Sequence, residues 1–232
     1  MSFYQTLQQS TETERNHLLS APLIQRALSG EITPALYQAF LTQAYHHVRF
    51  TVPLLMSCGS KLSAEQEWLR KAIAEYIDEE YGHEQWILSD IEHAGGDKRT
   101  AAASIPSPAT ELMVSYAFDS IERVSPLAFF GMVQVLEGTS VALATQAADK
   151  IKDSLQLPEK AFSYLYSHGS LDQDHIEFFA GLMNQIIDEN DQKIIIHAAK
   201  MFYRLYGDIF RSLTVLNTVA NPTPNDALAE AV

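Results

Sequence analysis

The sequence predicts an all-α protein, a single-domain multi-helix bundle, on three observations. Gly and Pro number only 10 and 9 among 232 residues, too few turn-formers for a many-stranded β fold. Apolar residues recur at helical spacing along nearly the whole chain, and no stretch shows a convincing period of two. The starts of several periodic stretches carry capping signals: Thr33-Pro34, Ser107-Pro108, Ser125-Pro126, and Ser63 with Gln66 three residues later.

Taken in order, the pattern predicts a helix over 3–19 and a short one over 22–29 that ends at Gly30. Thr33-Pro34 opens a long helix to about Ser57, with Pro53 expected to kink it or end its regular part. The Ser63/Gln66 capping box opens a helix to about His93, closed by Gly95-Gly96. The stretch GGDKRTAAASIPSPAT reads as the one real loop. Helices then follow from Ser107-Pro108 to about Arg123, from Ser125-Pro126 to about Leu155, from Pro158 to near Ile187, and from about Asp191 to Leu216. That makes about eight, with short connections and no linker long enough to divide the chain. The helical domain is expected over 1–217, and residues 218–232 form a loose tail.

Charge narrows the function. With 16 Lys and Arg against 29 Asp and Glu, the formal net charge is −13. No basic stripe is available for nucleic acid or for an anionic membrane surface, so neither is an expected partner. No apolar run approaches the roughly 20 residues of a membrane span, and the start does not resemble a signal peptide. The single cysteine, Cys58, excludes an internal disulfide framework and fits a reducing compartment. The expectation is a soluble, cytoplasmic protein acting on a small molecule, with enough apolar helices to leave a face for a homodimer.

The polar residues gather on the long helices. His168, Asp172 and His175 stand at i, i+4 and i+7, within an arc of about 60° on a helix that turns about 100° per residue. Glu80 and His83 are three residues apart, and Glu79 is four before His83, so either carboxylate can share its face. Glu137 stands alone in FFGMVQVLEGTSVALA, with no other charge for over ten residues on either side. A carboxylate there needs a proton, a donor or a metal. Helical bundles that bind two metals project carboxylates and Glu-x-x-His pairs inward from several helices. Glu80, His83, Glu137, His168, Asp172 and His175 are therefore the candidate ligands. Nitrogen and oxygen donors without thiolate suit iron or manganese, with zinc open and iron–sulfur clusters excluded. His46 and His47 are adjacent and point about 100° apart, so at most one of them faces the site. Each pattern has a plainer reading too: Glu-x-x-His pairs are commonly solvated surface pairs, and Asp174 and Glu177 show that this helix has another polar face.

The order EEYGHEQW, LEGTS and HGSLDQDHIEFF resembles the haem-oxygenase-like helical superfamily, which includes the TenA thiaminases, the PqqC-like quinone synthases and the CADD-like proteins. The resemblance runs from about residue 10 to 216 and is closest to the CADD-like branch of haem-oxygenase-like di-iron oxidases. It implies a di-iron site on His83, Glu137, His168, Asp172 and His175; for such a centre the expectation here is that Glu137 bridges, with His168 and Asp172 on one ion and His83 and His175 on the other. It also implies O2 as co-substrate and gives no reason to expect haem. The sequence departs from the family in two places. The helix carrying YHHVRF offers His46 or His47 where members usually supply a carboxylate. Tyr76 stands where some members carry another, a lack that Glu79 or Glu80 could meet. TenA thiaminases rely on a cysteine in a later helix, which this chain lacks. The leading expectation is a non-haem di-iron oxidase or oxygenase. The alternatives are a metal-free PqqC-like oxidase and a non-catalytic binding protein with a degraded site.

Overall fold

A computed structural model describes the backbone of residues 1–220, and the side chains of all of these except 170–174 and 214–220. Among the described residues the regular structure is all helical, with no strand. The α-helices are α1 (Phe3–Ser10), α2 (Glu12–Leu19), α3 (Pro22–Ser29), α4 (Pro34–Val48), α5 (Thr51–Lys61) and α6 (Glu67–Glu80). They continue with α7 (His83–His93), α8 (Lys98–Ala103), α9 (Pro108–Arg123), α10 (Phe129–Leu155), α11 (Ser163–Met183) and α12 (Glu189–Ala220). Short 3-10 turns precede α6, α10 and α11.

Three of the expected long helices are broken. The 3–19 stretch divides at Thr11, whose buried hydroxyl donates to the Leu7 carbonyl at 2.8 Å. The helix from Thr33-Pro34 ends at Val48, and α5 starts at Thr51. Pro53 explains where: it cannot donate to the carbonyl of Arg49, four residues back, and its ring crowds that carbonyl. The 63–93 stretch divides between Glu80 and His83, where Gly82 takes φ 89°. That left-handed conformation is open to glycine at little cost.

Smaller corrections follow from caps. The expected loop holds α8, whose Asp97 side chain accepts from the backbone N–H of Arg99 at 2.9 Å and of Thr100 at 3.3 Å. Pro158 opens a 3-10 turn, and α11 proper starts at Ser163 and stops at Met183. The capping box at Ser63 and Gln66 is formed, as are the caps at Thr33, Ser107 and Ser125. The expected tail lies largely outside the described residues; α12 continues to Ala220.

Helix α10 is the centre of the bundle, packed chiefly against α11 and α12, while α4 lies against α7 and α5 against α6. The largest fully buried side chains include Tyr37, Phe130, Phe162, Phe202 and Tyr203. Tyr37 stacks on Phe162 with ring centres 5.0 Å apart and donates its hydroxyl to the Ala161 carbonyl at 2.8 Å. Such a partner is what lets a phenol sit in a core. The span Pro126–Leu155 is, by length and composition, apolar enough to cross a membrane, contrary to the expectation of no such run; over its most apolar window 56% is buried inside the bundle. Its apolar character is that of a core helix surrounded by other helices.

Candidate metal centre

Glu80 and His83 flank the Gly82 break, so the pair is not on one helix as its spacing suggested. Glu80 closes α6 and His83 opens α7. The turn still brings the two together, with His83 Nδ1 3.2 Å from Glu80 Oε2. His168 comes from α11, its ring centre 5.1 Å from that of His83. One ligand atom from each of Glu80, His83 and His168 falls within 4.8 Å of the others.

The three are oriented by what surrounds them. His168 Nδ1 lies 2.8 Å from the carbonyl of Tyr164, one turn earlier. A carbonyl only accepts, so Nδ1 carries the proton and the Nε2 lone pair is left for a ligand, the usual arrangement of a metal-binding histidine. Burial lowers the His168 pKa and keeps the ring neutral. Burial works against ionising Glu80, but the His83 imidazole beside it and the neighbouring histidines outweigh it and hold the carboxyl below its ordinary value. Trp86 stacks on His83 with ring centres 4.0 Å apart, covering one face of the imidazole.

A brace that spacing alone did not reveal ties α7 to α11. Asp90 is fully buried and accepts the backbone N–H of Ser163 at 3.1 Å and of Tyr164 at 2.8 Å, together with the Ser163 hydroxyl. It caps the amino end of α11 from a different helix, where a carboxylate also meets the positive end of the helix dipole. The signal was present in the sequence: His83, Ile87 and Asp90 follow one another at i, i+4 and i+7, and all three are buried.

The remaining candidates are placed separately. Glu137 lines a cavity with Tyr76, Glu80, His47 and His168. Burial raises the Tyr76 pKa far above the ordinary phenol value, and the Glu137, Glu79 and Glu80 carboxylates raise it further, so Tyr76 remains a proton donor beside Glu137. His175 Nε2 is 3.2 Å from Glu79 Oε2. His83 is thus grouped with Glu80 and His168, where the expectation had paired it with His175. Asp172 lies outside the described side chains.

Of the adjacent histidines, His47 faces the site. His46 Nε2 is 2.8 Å from the Ser104 hydroxyl, whereas His47 lines the cavity. His47 Nδ1 has no hydrogen-bond partner among the described residues. Burial, with the His168 and His46 rings beside it, pushes the His47 pKa down to about 4. Cys58 is buried and points its thiol at the Pro126 carbonyl at 3.3 Å. Burial pushes that thiol up to about 12, so it is no nucleophile at neutral pH.

Residues 38–207 match the model of a family described as iron-containing redox enzymes. The chain belongs to that family. No curated protein sequence matches it. The fold is shared with a domain of unknown function with a haem-oxygenase-like fold from Shewanella denitrificans, at 20% identity over 97% of each chain and a TM-score of 0.83. It is shared with a TenA homologue from Pseudomonas syringae, at 12% identity over 92% of this chain and 93% of that one and a TM-score of 0.74. A CADD-like protein from Nostoc punctiforme has 15% identity over 90% of this chain and 97% of that one, with a TM-score of 0.71. Haem oxygenases are among the other solved structures it resembles. The all-α bundle anticipated from the residues, and its haem-oxygenase-like type anticipated from the resemblance, are therefore the fold of this chain. Identities this low carry the fold and leave the activity to the site.

Proposed function

We propose that the chain is a non-haem iron oxidase or oxygenase that uses O2 to oxidise a small organic substrate. The observation that carries this reading is the close set of Glu80, His83 and His168. Two imidazoles and a carboxylate are the donor set of non-haem Fe(II) oxygenases, and the family description names iron. Glu137 and His175 are the candidate donors to a second ion, with Asp172 a candidate from the sequence alone, and manganese has the same donor preferences. Iron held there supplies the electron transfer that O2 activation demands.

The protein residues have separate tasks. His168 offers its Nε2 because the Tyr164 carbonyl holds its other proton. Glu80 is ionised at neutral pH and balances cationic charge. Tyr76 keeps its phenolic proton beside Glu137 and can donate it across the cavity. Trp86 shields His83.

One observation favours the metal-free alternative. His47 is a neutral buried imidazole on the cavity wall with an unpartnered nitrogen, a group suited to moving a proton for a redox-active substrate.

One experiment separates the two. The protein is reconstituted with Fe(II) without air, its iron content is measured, and visible absorbance is followed on mixing with O2. About two irons per chain and a transient band support the iron oxidase. A protein that takes up no iron and shows no oxygen response refutes it and favours the metal-free reading.

A further inference from the structure

A second cavity adjoins the polar one. It is walled by α3 (Leu23, Ile24, Ala27 and Leu28), by the start of α4, and by α10 from Thr139 to Ile151. Ser140, Tyr164, His168 and Tyr206 line both cavities, so the two meet at the inner face of His168. The space open inside it is about 80 Å³, that of a narrow slot rather than a wide pocket. Between Ser140 and Ile151 its α10 wall runs for about 16 Å at 1.5 Å per residue. No Lys or Arg lines either cavity.

Packing alone does not account for such a space. An unfilled apolar chamber forfeits dispersion contacts that larger side chains would make. Here alanines stand on facing walls, Ala27 on α3 and Ala144 and Ala147 on α10, where leucine or phenylalanine would close the gap. Apart from the tyrosines, the polar side chains of the wall are Thr139, Ser140 and His168, and of these Ser140 and His168 also line the polar cavity beside the candidate ligands.

From this we propose that the substrate is an elongated apolar molecule with one small polar end. Its body lies in the chamber between α3, α4 and α10, and its polar end passes Ser140 and His168 to reach Glu80, His83 and His168. The absence of basic residues from the walls excludes a body with anionic groups along it, because each would be desolvated without a partner. The identification of the polar end as the reacting end rests on the iron-oxidase reading; the occupancy of the chamber does not.

The test uses the full, metal-free chain and straight-chain 1-alkanols of increasing length, with binding read by calorimetry and by Trp86 emission. Trp86 stacks on His83, so it reports arrival of the polar end, and Trp86→Phe identifies its share of the signal. The dissociation constant should fall about fourfold per added methylene, with a Trp86 response throughout. Ala144→Phe should abolish this length dependence while iron uptake stays at the wild-type level. Ala27→Phe, on the facing helix, makes the same test if Ala144→Phe does not fold. Affinity independent of chain length, an undiminished length dependence in the filled variants, or binding without a Trp86 response would each overturn the proposal. Failure of the iron reading looks different: neither wild type nor variant takes up iron, yet the length dependence stands.

Discussion

His168 and His175 are seven residues apart on α11, and the sequence gives no reason to rank one above the other. The structure treats them differently. His168 sits in the group with His83 and Glu80, whose side chains are 7% and 18% exposed, and a backbone carbonyl fixes its tautomer. His175 faces Glu79, a carboxylate 49% exposed. A half-exposed carboxylate partner does little to hold the His175 ring, whereas the Tyr164 carbonyl fixes the His168 tautomer before any metal arrives. The difference teaches that a ligand motif has a strong half and a weak half, set by the neighbours of each ring.

The largest expected effect sharpens that contrast. His168→Ala should abolish iron uptake, while His175→Ala should retain at least the ion bound nearest His83, as read by iron per chain after anaerobic reconstitution. Equal losses in the two variants would erase the distinction.

Next in size is a pH effect at His47. Its pKa falls from 6.5 to about 4 on folding, so between those values the unfolded chain binds more protons. Stability is then greatest above pH 6.5 and declines as pH falls toward 4, by about 3 kcal/mol in all. His47→Phe should flatten this part of the profile of unfolding free energy against pH; an unchanged slope would show that other groups carry it.

Asp90 is the brace behind the strong half. Asp90→Ala leaves the Ser163 and Tyr164 N–H groups without their cap and should cost about 2 kcal/mol, a fall in Tm of roughly 5 °C for a chain of this size. Asp90→Asn keeps one acceptor and should lie between. If Asp90 acts through His168, iron affinity falls in both variants, by about tenfold. A fall in Tm with wild-type iron affinity would make it a cap alone.

The smallest effect concerns the break between Glu80 and His83. An added Cβ at Gly82 meets nothing within 4 Å, so Gly82→Ala should cost only the left-handed backbone, about 1 kcal/mol. Gly169 offers the opposite case on α11. A Cβ there would collide with the Thr145 hydroxyl and approach the Thr145 N–H at 3.2 Å, so this glycine sets how closely α11, and with it His168, approaches α10.

Much of the fold was legible because its signals are local. The Thr33, Ser107 and Ser125 caps and the Ser63 box act within four residues, and α3, α9 and α10 begin or end close to where the pattern set them. The misreadings came where one apolar period ran on through a break. Pro53 acted on Arg49, four residues earlier, and Gly82 stood inside a periodic run without any loop composition around it. The candidate site was legible as residue types: Glu80, His83 and His168 were all named from spacing and from the isolation of polar groups among apolar ones. Asp90 was missed because its partners, Ser163 and Tyr164, are more than 70 residues away along the chain.

Composition, period and caps by themselves determined that this chain is acidic, helical and supplied with nitrogen and oxygen donors at helical spacing, because charge is a sum over residues and helix signals depend on neighbours within a turn or two. Only the tertiary structure decided that His47 and not His46 faces the cavity, that His83 joins His168, and that an apolar chamber opens beside them. Those outcomes depend on which faces of α4, α7, α10 and α11 meet. Helix packing sets that from the shapes of whole surfaces, and no local stretch of sequence encodes it.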